Sequence, residues 1–183
     1  MATKKILIVI DVQNDFITGA LRNEEAIKAL PSIVKLLNTE EYDETYATMD
    51  THDKNYLNTL EGQILPVEHC IKGTWGWNMP EEIRKTKAIQ NAEIYEKPTF
   101  GSEFLMEHLW AHIFNENHAN AQDYEFTIVG FCTDICVVSN ALMLRANFPN
   151  SKITVRKDCV AGVTPESNKA AILTMKMCQI DVI

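Results

Sequence analysis

Residues 4–11 read KKILIVID: two lysines, five consecutive apolar residues and an aspartate. The apolar run is continuous rather than alternating, and it contains β-branched Ile and Val. That is the pattern of a strand covered on both faces, as the strands of parallel sheets are. Five apolar residues are too few for a membrane span or the core of a signal peptide, and Asp11 ends the run at once.

Outward from this stretch the chain alternates between strand and helix patterns. EEAIKALPSIVKLLN (24–38) has helical spacing at Ile27, Leu30, Val34 and Leu37, with Pro31 placed to kink it. ETYATMDTH (44–52) and AEIYEKP (92–98) read as the second and third strands, the latter stopped by Pro98. SEFLMEHLWAHIF (102–114) reads as a helix opened by Ser102, with Phe104, Leu105, Leu109 and Ile113 on its apolar face. YEFTIVG (124–130) is a fourth strand. TDICVVSNALMLRANF (133–148) is a helix with Thr133 or Asp134 as its N-cap. SKITVRKDCVAG (151–162), TPESNKAAILTMKMC (164–178) and QIDVI (179–183) give a fifth strand, a further helix and a short last strand. The alternation predicts an α/β fold, Rossmann-like, in three α/β/α layers. Its six-stranded, mainly parallel sheet is expected in the order 3-2-1-4-5-6.

The length of 183 residues fits a single domain over 1–183. Seventeen Lys and Arg stand against 25 Asp and Glu, a net charge of −8. That argues against nucleic acid and anionic membrane as partners, because phosphate binding relies on basic side chains. The expected partner is a small molecule, and self-association into a homo-oligomer stays open. Five cysteines (Cys70, Cys132, Cys136, Cys159 and Cys178) are an odd number without framework spacing. With no export signal in view, they read as reduced thiols of a cytoplasmic protein.

In open α/β sheets ligands bind beyond the carboxyl ends of the strands, at the point where strand order reverses. The residues that follow each apolar run are therefore the candidates for chemistry: Asp11, then Asp50 and His52, then Lys97, then the CTDIC segment, then Asp158. In the expected strand order Asp11 faces Cys136, with Lys97 reaching in from the third strand. Cys136 is either a small packing residue or a nucleophile whose thiolate is favoured by the first helical turn and by Lys97. The neighbouring Asp11 and Lys97 favour the nucleophile. Asp11 itself is a cap or a general acid/base, and its place at the central strand end favours the second. Cys132 lies in the strand-to-helix turn, and its backbone N–H, together with that of Cys136, can serve as an oxyanion hole.

Asp50 and His52 are two apart on an extended chain and point the same way. His69 and Glu61, in the long unpatterned stretch from Thr51 to about Pro80, can complete a nitrogen and oxygen site suited to Zn, Mn or Fe. His108 and His112 stand four apart on a helix, but the glutamate of a zinc-protease HExxH pattern is missing, and an ordinary amphipathic helix is the better reading. Trp75 and Trp77 can stack on a flat ring or simply cover the core.

Taken together, IDVQNDF, MDTHD, PVEHCIKGTWGW, EKPTFGS and VGFCTDICV resemble the isochorismatase-like cysteine hydrolases, and within them the nicotinamidase/pyrazinamidase branch. The pieces occur in family order over almost the whole chain. The resemblance implies hydrolysis of an amide, most simply nicotinamide to nicotinate and ammonia in NAD salvage. It implies a catalytic triad of Asp11, Lys97 and Cys136 and a cis peptide joining Phe131 to Cys132. It also implies a divalent metal on Asp50, His52, Glu61 and His69. The run LPVEHC carries Leu65 and Pro66 where many nicotinamidases have a tryptophan, so the aromatic wall of the pocket falls to Phe16, Trp75 or Trp77. The alternatives are a cysteine hydrolase acting on another small amide and a non-catalytic binding module on the same fold.

Overall fold

Strand β1 (Lys4–Ile10) is covered on both faces over its last five residues. Leu7 and Val9 point to one side and Ile6, Ile8 and Ile10 to the other, following the two-residue period of a strand. The structure is a computed structural model that describes residues 3–116 and 120–183. After β1 come α1 (Glu24–Thr39), β2 (Glu44–Asp50), α2 (Leu60–Ile64), α3 (Glu81–Arg84), α4 (Lys87–Gln90) and β3 (Glu93–Lys97). They are followed by α5 (Glu103–Trp110), β4 (Tyr124–Phe131), α6 (Val138–Asn147), β5 (Lys152–Ala161), α7 (Pro165–Met177) and β6 (Asp181–Val182). The strands pair in parallel throughout, in the order β3-β2-β1-β4-β5-β6, as the alternation predicts. None of the described helices is long and apolar enough to cross a membrane.

Two cores flank the sheet. On one face Leu7, Val9 and Val129 meet Ile33 and Leu36 of α1, Ile83 of α3 and Ile89 of α4. On the other, Ile8, Phe126 and Ile128 meet Leu105 and Leu109 of α5, Leu144 of α6 and Met175 of α7. Each such side chain contributes roughly 1.5–3 kcal/mol by leaving water. Both faces of the central strands are used, which is why β1 reads as a solid apolar run.

Local details depart from the sequence reading. Helix α1 runs unbroken through Pro31, which lies on its exposed side. In α5 the core positions are Leu105, Met106 and Leu109, while Phe104 is 63% exposed. Strand β5 continues through Asp158 to Ala161, so Asp158 does not follow the strand. Its carboxylate is largely exposed and lies 3.5 Å from Arg156, away from the sheet end where the other candidates gather. The break in pairing between Ile128 and Gly130 of β4 lets β5 carry this longer, irregular stretch.

Register places the candidate groups. Ile10 of β1 is opposite Thr48 on one side and Gly130 on the other, and Asp50 of β2 is opposite Lys97 of β3. The carboxyl ends of four neighbouring strands therefore stand in rank. Gly130 has φ of +121°, and a Cβ there would lie 1.9 Å from the Ile10 carbonyl oxygen, the residue just before Asp11. Gly130→Ala is expected to cost about 3 kcal/mol or more, from a disfavoured backbone plus a clash with backbone that cannot yield. Thermal unfolding should show a fall of about 10 °C. An unchanged melting temperature would show that β1 and β4 can separate without penalty.

Candidate active site

Asp11 leaves β1 in the left-handed region, at φ of +47°. This unusual conformation for a residue with a side chain turns its carboxylate back over the sheet end. Asp11 and Lys97 are essentially without solvent exposure, and Lys97 Nζ lies 2.6 Å from Asp11 Oδ2. The Thr48 hydroxyl donates to the other oxygen, Oδ1, at 2.7 Å, so both carboxylate oxygens are held. Lys97 Nζ also lies 3.5 Å from Cys136 Sγ and 3.7 Å from Asp50 Oδ1, and it donates to the Thr99 carbonyl at 3.0 Å. One ammonium thus faces the carboxylate, the sulfur and a second carboxylate.

Cys136 lies in a wide helical turn, Thr133–Val137, that leads into α6. The residue at the cap position is Cys132, and neither Thr133 nor Asp134 caps the turn. Thr133 is already inside it and buried. Asp134 instead accepts from the Val163 N–H and from the Ser167 hydroxyl, tying the turn to the start of α7. Burial and the charge of Asp11 push the Cys136 thiol well above its ordinary pKa, against the opposing pull of Lys97. Burial likewise pushes the Cys132 thiol up to about 12. Asp11 is raised too, since burial outweighs the lowering effect of Lys97. Sulfur and carboxylate thus face the same ammonium in a buried site. All five cysteines are free.

The peptide between Phe131 and Cys132 is cis. The Cys132 carbonyl accepts from the N–H groups of Ile135 and Val137, at 3.1 and 3.0 Å. The Cys132 N–H donates to no protein group among the described residues. Asn140, one turn after Cys136, is completely buried. Its amide donates to the carbonyls of Cys136 and Phe100 and accepts from the Ser102 N–H, at 2.8, 3.1 and 3.0 Å. It fastens the segment after Lys97 to the backbone of the cysteine turn.

Beside this cluster, Asp50, His52 and His69 are buried, with one donor atom of each within 4.8 Å of the others. Asp50 Oδ2 is 3.0 Å from His52 Nε2 and 3.4 Å from His69 Nε2. His69 Nδ1 lies 2.9 Å from the Val67 carbonyl, which can only accept, so Nδ1 carries a proton and Nε2 is the atom turned toward Asp50. His52 Nε2 has no hydrogen-bond partner, despite its closeness to Asp50. Glu61 Oε1 lies 3.9 and 3.8 Å from the two Nε2 atoms but is not one of the three residues whose donor atoms all converge within 4.8 Å. Burial alone would raise Asp50, but the two imidazoles and Lys97 hold it well below the usual carboxylate range. Burial and the nearby Asp50 push Glu61 upward, as expected of a carboxylate short of positive charge. Converging lone pairs and an orphaned buried nitrogen fit a divalent cation, and the mix of imidazole and carboxylate suits Zn, Mn or Fe.

Of the aromatic candidates, Phe16 is buried edge-on to His69, with ring centres 5.8 Å apart. The Trp77 indole donates to the Thr51 hydroxyl at 2.9 Å, and Trp75 lies on the surface at 62% exposure. His108 and His112 stack with centres 5.8 Å apart beside Glu93 and Glu44, the first residues of β3 and β2, at the opposite end of the sheet. Several site residues escaped the sequence reading. Gln13 clamps Asp50 by accepting from its N–H and donating to its carbonyl, both at 2.8 Å. Thr48 and Asn140 were findable, since one is two residues before Asp50 on a strand and the other four after Cys136 on a helix. Tyr56 carried no signal, because the stretch around it has no period.

Residues 5–183 match the isochorismatase domain profile, and the chain belongs to that family. It is 27% identical over 216 aligned positions to the nicotinamidase of Schizosaccharomyces pombe, covering 100% of this chain and 94% of that protein. It is 26% identical to the nicotinamidase/pyrazinamidase of Mycobacterium tuberculosis, covering 98% of each. The crystal structure of the nicotinamidase/pyrazinamidase PncA from Bacillus subtilis superposes with a TM-score of 0.80 at 28% identity, covering 98% of each chain. Membership of this family, with these full-length relatives, makes the chain an amide hydrolase.

Proposed function

We propose that the protein, as a single domain, hydrolyses nicotinamide to nicotinate and ammonia through a cysteine thioester. The observation that carries this reading is the single buried ammonium of Lys97 shared by Asp11 and Cys136, directly beside Asp50 and the two imidazoles. Asp11 takes the thiol proton as Cys136 Sγ bonds to the amide carbon. The N–H groups of Cys132 and Cys136 hold the oxyanion of the tetrahedral adduct. Asp11 then gives the proton to the nitrogen as the C–N bond breaks and ammonia leaves. In the second half a water adds to the thioester carbon and its proton passes to Asp11. That proton returns to sulfur as the C–S bond breaks and the acid departs. Lys97 keeps the negative charge that moves between carboxylate and sulfur balanced by one fixed cation.

Asp50, His52, His69 and Glu61 would hold the divalent ion, with Gln13 fixing the Asp50 backbone. When bound, the ion supplies a Lewis-acid anchor for the pyridine nitrogen and so orients the carboxamide toward Cys136. Chelation is expected to lower kcat/KM and to lower the melting temperature by about 5 °C or more, with Zn, Mn or Fe add-back restoring both. Activity and melting that ignore both chelator and metal would remove the ion from this reading.

Five unpaired cysteines support a reducing compartment such as the cytoplasm. The deciding experiment is ammonia release from a panel of amides that includes nicotinamide and pyrazinamide. Turnover of nicotinamide well above the other amides is the expected result. Turnover of a different amide alone would keep the cysteine hydrolase and replace the substrate, and no turnover of any would leave a binding module.

A further inference from the structure

The candidate metal ligands come from a strand end and from a long loop, and one aromatic side chain packs against both imidazoles. Tyr56 is 1% exposed. Its ring centre lies 4.7 Å from that of His52 and 4.9 Å from that of His69, at 56° and 78° to the two planes. The imidazoles themselves stand edge to face, 4.9 Å apart. The phenol ring is therefore a wedge against both.

Its hydroxyl reaches further. It donates to the Leu65 carbonyl at 2.9 Å, and the same carbonyl accepts from the Val67 N–H at 2.7 Å. The Val67 carbonyl is in turn the group that holds His69 Nδ1. A continuous chain of contacts thus runs from the Tyr56 hydroxyl to the nitrogen whose proton fixes the His69 tautomer. Leu65 also closes α2, the short helix that carries Glu61. The Tyr56 carbonyl accepts from the Thr59 hydroxyl, which caps that helix at its other end.

We infer that Tyr56 is a positioning residue for the metal site, its ring orienting His52 and His69 and its hydroxyl locking the turn that sets His69 and Glu61. The inference rests on the metal reading above. Outer contacts that fix a ligand's orientation are typically worth 10- to 100-fold in metal affinity. In the free protein they hold the lone pairs converged before any ion arrives, so the ordering cost is already met when it binds.

The test uses the metal-stripped full-length protein, titrated with Zn²⁺ or Mn²⁺ against a chromophoric chelator, with metal-free melting followed in parallel. Tyr56→Leu is expected to weaken binding by about 10- to 100-fold. Tyr56→Phe keeps the ring and loses only the hydroxyl, and it should recover most of that loss, binding about threefold more weakly than wild type. A purely structural role would lower metal-free melting and leave affinity unchanged. If both variants bind within twofold of wild type while His52→Ala loses binding, the inference is overturned and the metal site stands. If wild type and His52→Ala bind equally poorly, the metal reading fails and takes the inference with it. Should Tyr56→Leu not fold, the affinity of Tyr56→Phe decides.

Discussion

Cys136→Ala is expected to abolish ammonia release, lowering kcat by about 10⁴-fold or more, as removal of a covalent nucleophile does when its partners act as a unit. The methyl group leaves Asp11 and Lys97 paired but with no sulfur to activate, and a water in the small space left would be a far weaker nucleophile. The variant should fold, because Cys136 is a small side chain packed among Val137, Ala141 and neighbouring apolar groups. Cys132→Ala is the control. Its thiol is held neutral by burial, and the role proposed for Cys132 belongs to its backbone N–H, so activity should stay within a few-fold of wild type. Ammonia release by the two variants at equal concentration separates these roles. Equal losses in both would favour a dithiol mechanism, and a fully active Cys136→Ala would eliminate the thioester.

Lys97→Met is the second large effect, because it strikes activity and stability together. The ammonium is buried and balances Asp11 at 2.6 Å and Asp50 at 3.7 Å. Methionine fills a similar volume but leaves two buried carboxylates without their cation. Removing one partner of a buried pair costs about 3–5 kcal/mol, which is about 10 °C of melting temperature for a domain of this size. Catalysis should fall by about 10²–10³-fold, the usual worth of one preorganised electrostatic group.

The pH dependence of this variant has a definite sign. Lys97 lowers Asp11 against the raising effect of burial, so its removal raises the folded-state pKa of Asp11 further above the ordinary carboxylate value. A raised carboxyl favours the folded state while protonated, and that contribution is lost as pH rises through the folded-state value. The melting deficit of Lys97→Met should therefore be smaller at pH 5 than at pH 8, and the acid limb of its pH–rate profile should move to higher pH. A deficit that is flat across this range would mean that Asp11 does not carry the uncompensated charge.

The fold was legible because its signals are local. A five-residue apolar run ended by an aspartate already says that β1 is covered on both faces and stops at a polar edge. Five further strands separated by helices leave few parallel arrangements, and the observed order is one of the two common doubly wound ones. Asp11, Asp50, His52, Lys97 and the cysteine turn were found by the same logic, since each directly follows a run that must be a strand. Where the reading missed, the deciding forces were not local. Thr133 and Asp134 look like caps for the turn they open, but Asp134 finds a better use at the start of α7, 29 residues further on at Val163. Phe104 has the spacing of a core residue, but the register of α5 on the sheet gives that place to Met106.

By itself, the sequence determined the parallel α/β architecture, the end of the sheet where chemistry gathers and the residue types brought there. Those follow from periodicity, chain direction and the right-handed connection of parallel strands. Only the tertiary structure decided how the charges balance. It set Lys97 between Asp11, Cys136 and Asp50, and it buried the Cys136 thiol, which raises its pKa against the pull of Lys97. It also brought Tyr56, from a stretch without any period, between His52 and His69. Burial and the distances between groups remote in sequence control these energies, and neither exists until the strands are in register and the long loop has closed over them.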